Sequence, residues 1–178
     1  MNADPSTDWN FTASLARLRY RIRHHPALRQ FLLRFIPLDQ PFSGSLFGVK
    51  LSRSEIGLLG ELLAAKYLQR HGRRVLFRNY RGLHRGEVDI VARHGQTLSF
   101  VEVKTRTSTA FGRPADAVNK DKQQLIQRGA LDWLRQLGNP RIAIRFDIAE
   151  VILIRAELPQ LHVIEDAFSL SDRSLAGR

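Results

Sequence analysis

The chain has 178 residues, 28 of them Lys or Arg and 17 Asp or Glu, for a formal net charge of +11. A 43% hydrophobic share with 25% charged residues describes a folded chain large enough for one cored domain, not a disordered one. The absence of cysteine excludes disulfides, thiolate zinc sites, iron–sulfur clusters and a cysteine nucleophile, so any metal must be held by carboxylate, carbonyl or imidazole groups. The longest stretch free of Asp, Glu, Lys and Arg runs only from Gln40 to Val49, too short to span a membrane, and the expected location is cytoplasmic.

Arg outnumbers Lys by 23 to 5. Arg makes planar, two-pronged contacts with phosphate and stays charged, so this excess points to a polyanionic partner, most often nucleic acid.

Residues 1–50 carry seven basic and three acidic side chains. Arg17, Arg19, Arg21 and Arg23 alternate with Leu18, Tyr20 and Ile22, and the run from Phe31 to Ile36 follows. This composition predicts a basic, poorly ordered N-terminal extension with short amphipathic helices, broken at Pro26 and ended by Pro37, able to touch a membrane surface or nucleic acid. Pro41 to Gly48 reads as a linker, 51–170 as the folded domain and 171–178 as a tail.

From Ser52 the elements sharpen. Ser52 and Glu55 have capping-box spacing and Gly72 is a stop, which predicts a helix over about 53–71. A strand follows over about 74–80, a turn at Gly82–Arg85 and a second strand over 86–92. His94-Gly95-Gln96 is a turn signal, so 98–105 should return as a hairpin partner. Residues 106–115 form a loop. Leu125, Ile126, Ala130, Trp133, Leu134 and Leu137 then recur at helical spacing over about 119–137, and strands are expected within 142–154 and 161–164. The order α-β-β-β-α-β-β predicts an α/β fold, a mixed sheet flanked by helices.

Three acidic positions and a lysine stand out. In Phe100-Val101-Glu102-Val103-Lys104, strand alternation puts Glu102 and Lys104 on one face and Val101 and Val103 on the other. Charges on a central strand are costly unless paired or metal-bound. Asp89 lies in the preceding strand. Pairing Arg93 with Thr97 sets it opposite Val101, on the wrong face, whereas pairing Arg93 with Leu98, or a bulge, sets it opposite Glu102. The second register opposes two carboxylates and calls for a cation between them. Glu87 shares the face of Asp89 and extends the acidic cluster or stays solvated. Glu61 has Gly57, Leu58, Ala64 and Ala65 as helical neighbours, so it lies on the packing face and needs a partner: a structural bond, or the same acidic cluster. Gly57 and Gly60 would let that helix approach closely.

These residues, with Gly57-x-x-Gly60-Glu61-x-x-Ala64, Arg78-Asn79-Tyr80, Gly86-Glu87-Val88-Asp89, Phe100-Val101-Glu102-Val103-Lys104-Thr105-Arg106, Phe111-Gly112, Lys122-Gln123 and Arg145-Phe146-Asp147, resemble the YraN-like family of bacterial proteins over about residues 54–168. That family in turn resembles the PD-(D/E)xK nucleases, especially archaeal Holliday-junction resolvases. The resemblance implies a restriction endonuclease-like fold and an endonuclease acting on DNA, branched or flapped DNA included. It implies that Asp89 and Glu102 bind a divalent cation, with the Val103 carbonyl and Glu61 as further ligands, and that Lys104 activates the attacking water or stabilises phosphate charge. Carboxylate oxygens select Mg²⁺ or Mn²⁺. Resolvase-like members act as dimers, so a homodimer is expected. The alternative is a non-catalytic nucleic-acid-binding accessory protein that keeps the fold.

Lys120 and Lys122 fall in the first turn of the second helix, where basic side chains gain nothing from the helix dipole, which suggests an external anion. Together with Gln123, Arg106 and Arg113 they are the candidate nucleic-acid contacts. Asn79 and Tyr80 either shape the mouth of the site or end a strand. Asp147 carries no assigned role, and the six His residues show no metal-ligand spacing.

Overall fold

The computed structural model describes residues 16–108, 110 and 118–170. Helix α1 is helical over 16–24, and α2 spans Pro26–Leu33. A small hairpin of β1 (Ser45–Leu46) and β2 (Val49–Lys50) follows. Helix α3 spans Arg53–Arg70, and strands β3 (Arg74–Arg81), β4 (Glu87–His94) and β5 (Thr97–Arg106) lead to α4 (Lys120–Gln136), β6 (Ala143–Ile152) and β7 (Gln160–Phe168). The α/β expectation holds, and β7 runs longer than the short strand expected.

The main sheet has the order β3-β4-β5-β6-β7. Only β5 and β6 are parallel, and α4 makes the crossover between them, on the base that a parallel pair cannot be joined by a tight turn. Alternation on β5 divides the core. Val101 and Val103 pack with Leu59, Leu63 and Leu68 of α3, while Leu98 and Phe100 pack with Ile126, Ala130 and Leu134 of α4. The two helices therefore cover opposite faces of the sheet.

Helix α3 begins as its sequence dictates. The Ser52 side chain accepts from the Glu55 N–H, and the Glu55 carboxylate accepts from the Ser52 N–H at 2.8 Å. Further along, a Cβ on Gly60 would stand 1.9 Å from Thr105 Oγ1, so the missing side chain is what lets α3 lie on β5. Gly57 plays no such part, since a Cβ there meets nothing within 4 Å.

Residues 16–50 share the core. Ile22 and Leu33 are fully buried in the cluster that contains α3, and Phe42 joins it while exchanging backbone hydrogen bonds with Ala156 and Glu157 at 2.8 Å. Arg29 grips Glu55 through both guanidinium prongs and donates to the Lys50 carbonyl at 2.9 Å. Lys66 donates to the Arg34 and Ile36 carbonyls at 2.9 and 2.8 Å, satisfying the chain as it leaves α2. Composition alone placed this segment outside the domain, because its Arg content hides the four core side chains Ile22, Leu33, Phe42 and Leu46. Residues 1–15 and 171–178 lie outside the described residues.

The Arg29 hydrogen bond holds the Glu55 carboxyl down at about 2, against an ordinary value of 4.5. A depressed carboxylate stabilises the fold above its unfolded value and loses that contribution as pH falls through the folded value. Arg29→Ala is expected to cost about 2 kcal/mol at neutral pH and to flatten the decline in stability between pH 4.5 and about 2. Urea unfolding of both proteins across that range checks it, and parallel curves for the two would contradict it.

Candidate active site

The β4–β5 register decides where the carboxylates meet. Arg93 pairs with Leu98 and Ile90 with Val101, which is the second of the two registers and sets Asp89 against Glu102. Cα pairing ends at Ile90 and Val101. Beyond it the Asp89 side chain takes over from the backbone, its Oδ2 accepting from the Val103 N–H at 2.8 Å.

Glu102 is 2% exposed. Two ammonium groups converge on its Oε1, Lys104 Nζ at 2.8 Å and Lys122 Nζ at 3.2 Å. Its other oxygen, Oε2, is buried and has no hydrogen-bond partner. A buried carboxylate oxygen left unpaired is expensive and calls for a ligand.

Burial, and after it the charge of Glu102, pushes the Asp89 carboxyl up from 3.8 to about 7, against the lowering effect of the Val103 N–H and Lys122. Burial likewise raises Glu61, with Glu102 adding to the effect, while a hydrogen bond from Asn79 and the charge of Arg78 oppose it. Glu61 therefore reaches the same electrostatic neighbourhood from α3 on the far side of β5. Asn79 has φ 56° and stands in β3 between Arg78, paired with Ile90, and Tyr80, paired with Val88. It thus faces the Asp89 position and partners Glu61, which resolves its choice between mouth and strand end. The Tyr80 ring instead packs against Trp133 and its hydroxyl accepts from Gln136 at 2.9 Å.

Lys122 differs from the outward-facing cation expected. It bonds Glu87 as well as approaching Glu102. Burial disfavours its charge, but the Glu87 hydrogen bond and the charges of Glu102 and Asp89 outweigh that and raise its pKa. The Lys122 bond in turn keeps Glu87 ionised, helped by Arg81 at 2.6 Å. Sequence reading missed this pairing, since 35 residues separate Glu87 from Lys122. The placement of α4 brings them together.

The other candidates are more scattered. Lys120 is exposed about 200° round the helix from Lys122, beside a cavity of about 450 Å³ lined by Gln123, Gln124 and Phe168. The Gln123 amide donates to the Val118 carbonyl at 3.1 Å, next to the start of α4. Arg106 is half-buried at the end of β5, and Arg113 lies outside the described residues.

Asp147 is structural. It is fully buried, accepts from Arg73 at 2.8 Å, from Ser99 and from the Asp166 N–H at 3.0 Å, and lies 2.8 Å from Arg145 Nε. Arg73 and Arg145 also reach Glu165. The knot sits at the β6–β7 register shift, where Asp166 has φ 51°. Asp132 has a comparable role, holding the β3–β4 turn through His84 N at 3.0 Å and His84 Nδ1 at 2.6 Å.

The donor set fits a hard divalent cation that keeps waters. Asp89 and the unpaired Glu102 Oε2 offer anionic oxygens, and Lys104 and Lys122 balance the remaining charge. It is no all-protein cage, since among the described residues no three acidic or imidazole groups lie close enough to hold a metal by themselves.

A family model described as uncharacterised protein family UPF0102 matches residues 60–151, which contain Glu61, Asp89, Glu102, Lys104 and Lys122. A UPF0102 protein of Geobacter metallireducens is 43% identical over 123 residues, 69% of this chain and 99% of the relative. One from Rhodococcus jostii is 42% identical over 113 residues, 64% of this chain and 95% of the relative. One from Chlorobaculum parvum is 48% identical over 97 residues, 54% of this chain and 74% of the relative. On these matches, and in keeping with its YraN-like motifs, the chain belongs to the UPF0102 family.

Proposed function

We propose that this protein is a Mg²⁺-dependent endonuclease that hydrolyses phosphodiester bonds in DNA, branched or flapped DNA included. The observation that carries this reading is the buried, partnerless Glu102 Oε2 beside Asp89, with Lys104 bonded to the opposite oxygen. Mg²⁺ or Mn²⁺ held by Asp89 and Glu102, with the Val103 carbonyl as a third donor and Glu61 behind them, would neutralise phosphate charge and supply a hydroxide-like nucleophile. Lys104 keeps its ammonium at the edge of the site, a quarter exposed, where a phosphate oxygen or an attacking water comes within its reach. Lys122 keeps Glu87 ionised and stands 3.2 Å from Glu102 Oε1. The Val103 N–H fixes one Asp89 oxygen and so orients the carboxylate.

A second reading, a non-catalytic nucleic-acid-binding protein, draws on the absence of a third close acidic or imidazole group among the described residues. One set of measurements separates the two. Labelled duplex, flap, four-way-junction and single-stranded DNA are incubated with and without Mg²⁺, and Ca²⁺ binding is titrated in wild type and Asp89→Asn. The endonuclease reading expects cleavage that requires Mg²⁺, and Ca²⁺ affinity at least about tenfold weaker in the variant. DNA binding without cleavage, and equal, weak ion binding by both proteins, would favour the accessory role.

A further inference from the structure

Between residues 16 and 38 the chain holds six Arg and no Asp or Glu. Arg29 is neutralised by Glu55, whereas Arg17, Arg19, Arg21 and Arg23 form no ion pair among the described residues. Arg19 and Arg23 are four residues apart and so lie on one side of α1, where like charges repel. They line a cavity of about 290 Å³ with Ala16, Tyr20, Gly48 and Val49, none of them acidic. The Arg19 guanidinium lies over Gly48, 3.6 Å from where a Cβ would stand, and beside it is Tyr20, 66% exposed, with the His24 ring tilted against it at 4.4 Å between centroids. Two guanidinium forks with no acidic partner among the described residues, next to a largely exposed ring, suit a phosphate and an attached base.

The notch is held in place rather than tethered. Ile22 anchors α1 in the core, and Val49 leads directly to Lys50, whose carbonyl accepts from Arg29, which in turn grips Glu55. Six residues on in the same helix, or about 9 Å at the α-helical rise, is Glu61. The chain of contacts from the notch through Lys50, Arg29 and Glu55 therefore ends on α3, the helix that carries Glu61 into the candidate active site, and the notch lies before the segment matched by the family model.

We propose that Arg19, Arg23 and Tyr20, over Gly48 and Val49, bind the phosphodiester backbone of a nucleic-acid strand and extend the DNA surface of the candidate active site. The choice of DNA rests on the endonuclease reading. A membrane surface is the poorer partner, because the one fully buried apolar side chain of α1, Ile22, is committed to the core and leaves the helix without a continuous outward apolar face.

The test is DNA binding by the full chain, without divalent metal, between about 50 and 200 mM salt. In Arg19→Gln/Arg23→Gln the slope of log affinity against log salt should shrink by about 2, with affinity at low salt at least about tenfold weaker. Arg19→Lys/Arg23→Lys keeps the charges and should keep the slope. An unchanged slope in the Gln pair while wild type binds DNA overturns the notch, whatever the cleavage assays show. Binding of wild type to anionic vesicles but not to DNA overturns the assignment to nucleic acid. The slope difference should persist in a Lys104→Ala background, so loss of the nuclease reading alone would leave it standing.

Discussion

Lys104→Ala is expected to lower the single-turnover rate of DNA cleavage by about 10² to 10⁴, the usual range for a positioned proton-transfer or charge-stabilising group. DNA affinity should change by no more than about threefold, because Lys104 is one cation on a surface rich in Arg. The fold should tolerate the change. Glu102 Oε1 keeps Lys122 at 3.2 Å, and the Lys104 side chain is a quarter exposed, so its removal strands no buried charge without a partner. This separation of rate from binding and stability is what distinguishes Lys104 from Lys122. Lys122 ties α4 to β4 through Glu87, so its loss should weaken structure and site together. A Lys104→Ala protein that cleaves at the wild-type rate would remove Lys104 from the chemistry.

Gly86→Ala is expected to destabilise the fold by about 3 kcal/mol or more, at the upper end of overpacking effects. A Cβ at Gly86 would stand 2.1 Å from the Gly129 nitrogen and 2.5 Å from the Arg128 carbonyl carbon. Both are backbone atoms of α4, so no side chain can swing aside and the helix itself must move. Gly129 is the reciprocal half of the contact, its own Cβ position lying 2.9 Å from the Glu87 nitrogen. Moving α4 outward would also draw Lys122 from Glu87 and Glu102, so weaker divalent-ion binding should accompany the lower urea midpoint. Gly57→Ala is the control. It lies inside α3 with nothing within 4 Å of the added methyl, and it should gain up to about 1 kcal/mol from helix propensity. Equal midpoints for Gly86→Ala and wild type would show that the α4–β4 contact is looser than its geometry.

Local chemistry made much of the fold legible. Ser52 and Glu55 announce the start of α3 because a capping box is a three-residue matter, and β5 announces itself through Val101 and Val103 because alternation needs only neighbours. Glu61 declared itself by its apolar helical surroundings. The partner of Lys122 could not be read this way, because helix-dipole reasoning sees only the helix and Glu87 arrives from a strand 35 residues earlier. Asp147 gave no hint of its knot, since Arg73, Ser99 and Asp166 come from three other parts of the chain. Composition likewise hid the packing of α1 and α2, where Ile22 and Leu33 are two buried residues in an Arg-rich stretch.

The amino-acid order by itself determined the succession of helices and strands, the face shared by Glu102 and Lys104, and the restriction of any metal to oxygen or imidazole donors. Those properties depend on backbone periodicity and side-chain type, which act over a few residues. Only the tertiary structure decided that Arg93 pairs with Leu98, that Asp89 therefore meets Glu102, and that one Glu102 oxygen is left without a partner while two lysines share the other. Those outcomes depend on how a hairpin and two helices pack around one sheet, where desolvation and close approach between distant segments set the energies.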